Sequence, residues 1–336
     1  MKVVYLFFLS SFCLILLSCG GESRTEAPTI ASSGDPGIDQ ISALIADNPE
    51  QADLYASRAQ MEYERENYDA AIVDLQTALS LDSTQVIYYY QLADVFMNYF
   101  RSRQAIGVLN SAVLLDEDNA QTWLRLGEAQ LVTKQYDEAT EALNQVVRVD
   151  PRNPDAYLLL GQVFAETGDT ARAINATQEA VEIEPDLIDG WIKLGQLHSS
   201  IGGDRAEQYF NTALELDSLD VISIHAKADF YRDQDRLDDA IALYRKAALL
   251  DRQYVVANFN AGLLLMEQGK IGEALNEFNI VTANDPLYIQ AHFYKGYANE
   301  LLGNIDTARE DYRNALRLAP EYQLALEGMN RVGPAE

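Results

Sequence analysis

The chain has 336 residues, 48% of them hydrophobic, enough to bury a sizeable core and to exclude wholesale disorder. A formal net charge of -27 repels nucleic acid and anionic head groups, which argues against a nucleic-acid partner and favours basic or neutral ones. Only two cysteines, Cys13 and Cys19, are present, too few for a disulfide framework or a thiolate metal cluster.

The first element is an address. After Met1-Lys2, residues Val3 to Leu17 are almost unbrokenly apolar. The run is short of the roughly 20 residues a membrane-spanning helix needs and suits the apolar region of a secretory signal. It ends in Leu16-Leu17-Ser18-Cys19-Gly20, which resembles a bacterial lipobox. The resemblance implies a signal peptide over residues 1–18, cleavage after Ser18 and lipidation of Cys19. An uncleaved helical anchor, or an ordinary signal with an incidental cysteine, is the alternative. Gly20 stands where an aspartate would signal inner-membrane retention, so the resemblance implies the outer membrane of a bacterial cell envelope. Residues 19–38 then form a Gly-, Ser- and Pro-rich tether with a reach on the order of 25 Å.

Asp39 to Asn48, followed by Pro49, predicts a lone helix that covers whatever comes next. From there a period dominates. Ala71, Ala105, Ala139, Ala173, Ala206, Ala240, Ala274 and Ala308 are separated by 34, 34, 34, 33, 34, 34 and 34 residues. A second small column precedes it: Ala59, Ala93, Gly127, Gly161, Gly195, Ala228, Gly262 and Gly296. Glycine inside a helix costs roughly 1 kcal/mol against alanine, so its return at one place predicts close helix contact as compensation. Gly168, Gly202, Gly269 and Gly303 are predicted left-handed caps of the first helix in a unit, and Pro151, Pro185, Pro286 and Pro320 close units. Gly202-Gly203 marks one shortened turn, where a local change of pitch is expected.

These columns resemble the tetratricopeptide repeat (TPR), most clearly in Trp123, Leu126-Gly127, Ala139, Leu143 and Pro151. The resemblance implies an all-α fold, an α-α superhelix (solenoid) of about eight helix pairs with capping helices at both ends. The expected organisation is a single domain over residues 39–332, with repeats starting near 52, 86, 120, 154, 188, 221, 255 and 289. Glu321 to Arg331 is the predicted closing helix.

In that family the first helix of each unit lines a concave groove. Helical spacing then places Tyr90, Met97, Leu124, Phe259, Leu263, Met266, Phe293, Tyr294 and Tyr297 in a partner-binding groove. Packing between repeats is the competing reading for Phe259, Phe293 and Tyr297. A carboxylate clamp of repeated Lys, Arg and Asn is not apparent, since the groove carries mostly acids and apolar residues. No nucleophile–base pair, phosphate loop or cofactor motif is found, and His198, His225 and His292 lack ligand-like spacing. His225 and Asp229 share a helix face and read as a polar pair, not a metal site. The expectation is a non-catalytic, lipid-anchored envelope adaptor that needs no cofactor and binds a protein or peptide. A glycan- or small-ligand-binding lipoprotein of an uptake system is the alternative.

Overall fold

The computed structural model describes residues 33–333. The expected signal peptide, Cys19 and most of the expected tether lie outside the described residues. Among the described residues no helix is long and apolar enough to cross a membrane.

Where one continuous domain is expected, the contacts cluster into two compact units that meet at residues 91 and 92, inside helix α4 (Val86–Asn98). The first unit holds α1 (Pro36–Asp47), α2 (Ala52–Glu64), α3 (Tyr68–Leu81) and the start of α4. The cap α1 begins three residues before Asp39 because Asp35 accepts hydrogen bonds from the backbone N–H groups of Gly37 and Ile38. Arg58 of α2 ties these helices together, donating to Asp74 of α3 at 2.7 Å and to Ser42 of α1 at 3.0 Å.

The second unit runs from the remainder of α4 through α5 (Ser102–Val113), α6 (Ala120–Val132), α7 (Tyr136–Val149), α8 (Pro154–Glu166), α9 (Thr170–Ile183) and α10 (Ile188–Ser200). It continues with α11 (Ala206–Leu216), α12 (Val221–Asp233), α13 (Leu237–Leu250), α14 (Val255–Glu267), α15 (Ile271–Asn284), α16 (Ile289–Leu301), α17 (Ile305–Leu318) and α18 (Gln323–Val332). From α5 to α18 each helix packs against the next along the chain, within a pair and from one pair to the next, the α-solenoid arrangement.

Small residues on the first helices permit this closeness. A methyl group built on Gly127 would lie 2.8 Å from the Leu143 side chain, on Gly195 2.7 Å from Phe210, on Gly262 2.6 Å from Phe278 and on Gly296 2.8 Å from Tyr312. The missing side chain on one helix therefore matches a bulky one on its partner.

The turn inside each pair is more uniform than its glycines suggest. Gly168, Gly202, Gly269 and Gly303 have positive φ as expected, but so do Glu66, Phe100, Lys134 and Asp235 at the equivalent places. In every pair the residue after this one donates its N–H to the carbonyl five positions back, for example Gln135 to Gln130 and Asp169 to Phe164 at 2.8 Å. This is the Schellman closure of a helix, and it forms whether or not glycine supplies the left-handed residue. The Gly202-Gly203 unit differs: α11 begins four residues after the left-handed position, whereas α9 begins two after Gly168, so α11 has 11 residues against 14.

At the far end α18 seals the stack. Ala325 is fully buried beside Phe293 and Tyr312, and Arg309 donates to the carbonyls of Val332 and Gly333.

Candidate protein-binding face

In the second unit the first helices also touch each other, α6 with α8, α10 with α12 and α16 with α18. No two second helices approach as closely among the described residues. The first helices therefore line the crowded inner surface of this unit, and that surface carries the expected groove residues of α6 to α16.

The structure divides those residues. Tyr90 in the first unit, and Leu124 and Phe293 in the second, are buried at 7–8% exposure. They are corrected from groove to core. Phe259 and Tyr294 belong largely with them. The Phe259 ring lies 5.8 Å from Phe278, 5.0 Å from Tyr288 and 5.6 Å from Tyr294, and Tyr294 stacks on Phe278 at 5.6 Å. For Phe259 and Phe293 the physical reason is a column that sequence reading overlooked. Tyr254, Tyr288 and Tyr322, spaced by 34, stand just before α14, α16 and α18. Each meets the fifth residue of the preceding first helix: His225 at 5.2 Å, Phe259 at 5.0 Å and Phe293 at 5.8 Å. These aromatic rings join one repeat to the next.

Met97, Leu263, Met266 and Tyr297 are half-buried. Leu263 and Met266 rest on the α12–α15 core, and Tyr297 stacks on Phe293 at 6.2 Å with its planes 8° apart. Each keeps part of its side chain in solvent, and Leu301, one turn beyond Tyr297, is 50% exposed.

Two polar networks flank this apolar strip. Asp229 accepts from Tyr244 Oη at 2.5 Å and from Arg232 at 2.7 Å, and His225 Nε2 lies 3.5 Å from the same carboxylate. Burial between Tyr244 and Tyr254 holds the His225 imidazole below its ordinary pKa, against the pull of Asp229, and its Nδ1 has no hydrogen-bond partner. On the other side Arg331 donates to Glu300 at 2.7 and 3.0 Å, and Tyr312 donates to the same carboxylate at 2.5 Å. Hydrogen bonding to Arg331 and Tyr312 keeps Glu300 ionised by lowering its pKa. Between α10 and α12 a cavity of ≈ 370 Å³ opens on this face, with Gln196, Ser199, Asp229 and Asp233 among its walls and Phe210 and Phe230 among its apolar residues.

Such a face supplies an apolar strip between fixed charges, the composition of a protein-docking surface. Among the described residues no three His, Cys, Asp or Glu side chains are grouped to hold a metal ion.

Outside the groove, six aromatic or imidazole side chains do a task the sequence concealed. Tyr55, Tyr89, Trp123, Tyr157, Trp191 and His292 each reach the carbonyl six residues back, as in Trp123 to Glu117 and Trp191 to Pro185, both 2.8 Å. They latch α2, α4, α6, α8, α10 and α16 to the loop before each helix.

Comparison with known proteins agrees with this architecture. Family models described as tetratricopeptide repeat match residues 100–163, 134–197, 223–254 and 259–322, and one described as TPR repeat matches residues 59–98. RNA polymerase II-associated protein 3 of Mus musculus is 25% identical over 122 residues, which span 36% of this chain and 18% of that protein. The C-terminal part of a TPR repeat-containing protein from Cytophaga hutchinsonii superposes with a TM-score of 0.54 at 17% identity, over 73% of this chain and 99% of that one. A chain of the APC/C hetero-tetramer Cut9-Hcn1 gives 0.53 at 17% identity, over 88% of this chain and 58% of that one. At such identity the likeness is one of fold.

Proposed function

The chain belongs to the tetratricopeptide repeat family, and from that premise we propose that it is a non-catalytic adaptor of the bacterial envelope. It is tethered through a lipid on Cys19, favours the outer membrane, and receives a protein or peptide segment on the inner face of its second unit. The observation that carries this reading is the half-buried strip of Leu263, Met266 and Tyr297, continued by exposed Leu301 and bounded by the Asp229 and Glu300 networks. Apolar side chains held rigid by packing beneath them make good anchors, because little freedom is lost on binding. The net charge of -27 selects a segment that is apolar with basic flanks. The lipobox-like Leu16-Leu17-Ser18-Cys19 supports the tether and the location.

The test is co-purification from native envelopes in mild detergent, comparing wild type with a Met266→Glu/Leu301→Glu variant of unchanged thermal stability. A partner recovered with wild type and lost with the variant supports the docking face. Equal recovery contradicts it. Globomycin-sensitive processing, or a mass that includes acyl chains at Cys19, tests the tether separately.

The glycan- or small-ligand reading draws on a different feature. A cavity of ≈ 740 Å³ lies beside the shortened α11, lined by Trp191 and Tyr209 with Gln178, Glu182, Arg205 and Gln208. Stabilisation of the protein by neutral oligosaccharides, lost in Trp191→Ala, would favour that reading over the adaptor.

A further inference from the structure

Helix α5 differs from the other second helices of its unit. Residues 95–115 contain no Asp or Glu, although the chain has 52 of them. Elsewhere the solvent faces of second helices carry exposed carboxylates, such as Asp137, Glu138 and Glu141 on α7 or Asp238 and Asp239 on α13. On α5 the exposed residues are Arg103, Gln104, Gly107, Asn110 and Ser111, followed by Leu114 at the C-cap. Arg103, Gly107, Asn110, Ser111 and Leu114 follow one another at helical spacing as one stripe, and Phe100 stands in the turn that precedes the helix.

The ends of this face are apolar and costly to leave in water. Phe100 is 95% exposed and Leu114 77%. Phe100 also occupies a left-handed position, φ 57°, where four of the eight pairs use glycine. An L-residue in that conformation costs roughly 1–2 kcal/mol, and nothing in the turn requires a phenyl ring. The middle of the stripe is built for close approach. Gly107 has open space where a side chain would be, while Asn110 Nδ2 and Ser111 Oγ already donate to the carbonyls of Ile106 and Gly107 at 2.9 and 3.2 Å. Covering them leaves those donors satisfied.

We propose that this face docks a second copy of the chain, with the two α5 helices antiparallel about a two-fold axis at Gly107. The spacing fits that symmetry. Phe100 precedes the start of α5 and Leu114 caps its end, so antiparallel packing about Gly107 sets each copy's Phe100 beside the end that carries the other's Leu114. Arg101 and Arg103 at the start of one helix approach Asp116, Glu117 and Asp118 beyond the end of the other, all three exposed. The two copies of Arg103 stand about 12 Å apart along the axis, too far for strong repulsion. A homotypic contact must be self-complementary. On so acidic a chain, a carboxylate-bearing face opposes itself, whereas this one presents neutral atoms at its centre and opposite charges at its two ends.

Sedimentation equilibrium of the full chain in density-matched detergent tests the proposal. Wild type and a control, Leu287→Asp, which alters an equally exposed leucine elsewhere (72%), should form a reversible dimer. That dimer should tighten from about 0.05 M to about 0.5 M salt, as screening relieves the repulsion of two acidic chains. Phe100→Asp/Leu114→Asp should weaken it by about tenfold or more. Phe100→Gly should melt no lower than wild type yet associate more weakly, which separates loss of the contact from loss of the fold. A wild type that stays monomeric, or a dimer unchanged by the double substitution, overturns the proposal.

Discussion

Phe293 of α16 stands edge-on to Tyr322, the residue preceding α18, with ring centroids 5.8 Å apart and planes at 90°. The equivalent residues meet in the two repeats before it, Phe259 with Tyr288 tilted at 40° and His225 with Tyr254 edge-on at 82°, so the last repeats share an aromatic joint at one place. Replacing Phe293 by Ala removes a ring that also contacts Tyr294, Tyr297 and Tyr312. A loss of about 3–5 kcal/mol is expected in urea denaturation. Tyr322→Ala, at the end of the stack, should cost less and release α18 first, read as early amide exchange in residues 323–332.

The glycine pairing gives a second expectation. Gly262→Ala improves helix propensity by roughly 1 kcal/mol, yet its methyl group would fall 2.6 Å from Phe278. The aromatic ring is hemmed in by Phe259 and Tyr294, so the clash should win and the variant should melt lower than wild type. Adding Phe278→Leu should recover part of that loss. A double-mutant cycle with no coupling would contradict the close pairing.

Lys134 provides a test in the opposite direction. It holds φ 59° in the turn between α6 and α7, with its side chain exposed. Lys134→Gly should stabilise the protein by about 1 kcal/mol, measured by thermal unfolding, because the left-handed conformation no longer carries a side-chain penalty.

The architecture was largely legible in the sequence because stacking repeats impose the same demand on every copy. The column at Ala139 states that demand in alanine alone and the column at Gly127 in alanine or glycine, and the fold places both where the period predicts. The groove was less legible. Tyr90, Leu124 and Phe293 share the helix face of Met97 and Tyr297, and spacing alone cannot tell a ring that faces solvent from one covered by the next repeat. For Phe293 and Phe259 the deciding residues, Tyr322 and Tyr288, lie outside the first helices in the connecting turns. Likewise the left-handed turns at Glu66, Phe100, Lys134 and Asp235 carry no residue signature. Their conformation is set by the Schellman hydrogen bonds, which any residue can close at some cost.

Acidity should act through His225. Burial lowers its pKa below the unfolded value near 6.5, so the unfolded chain takes up the proton first. The contribution is therefore present above pH 6.5 and is lost as pH falls towards the folded pKa. The slope from this one group is at most about 1.4 kcal/mol per pH unit. The difference in melting temperature between wild type and His225→Gln should shift against wild type as pH is lowered from 7 to 5. A difference independent of pH would show that the imidazole is not held neutral by its tyrosine neighbours.

The central claim is that a partner lies along the inner face of the second unit. Photo-crosslinking measures this most directly, with benzoylphenylalanine placed at position 266 or 297 on that face, or at exposed positions 276 or 313 on the second helices. The same protein should be captured from the native envelope at 266 and 297 and not at 276 or 313. Capture confined to the second-helix positions would place binding on the opposite surface and contradict it.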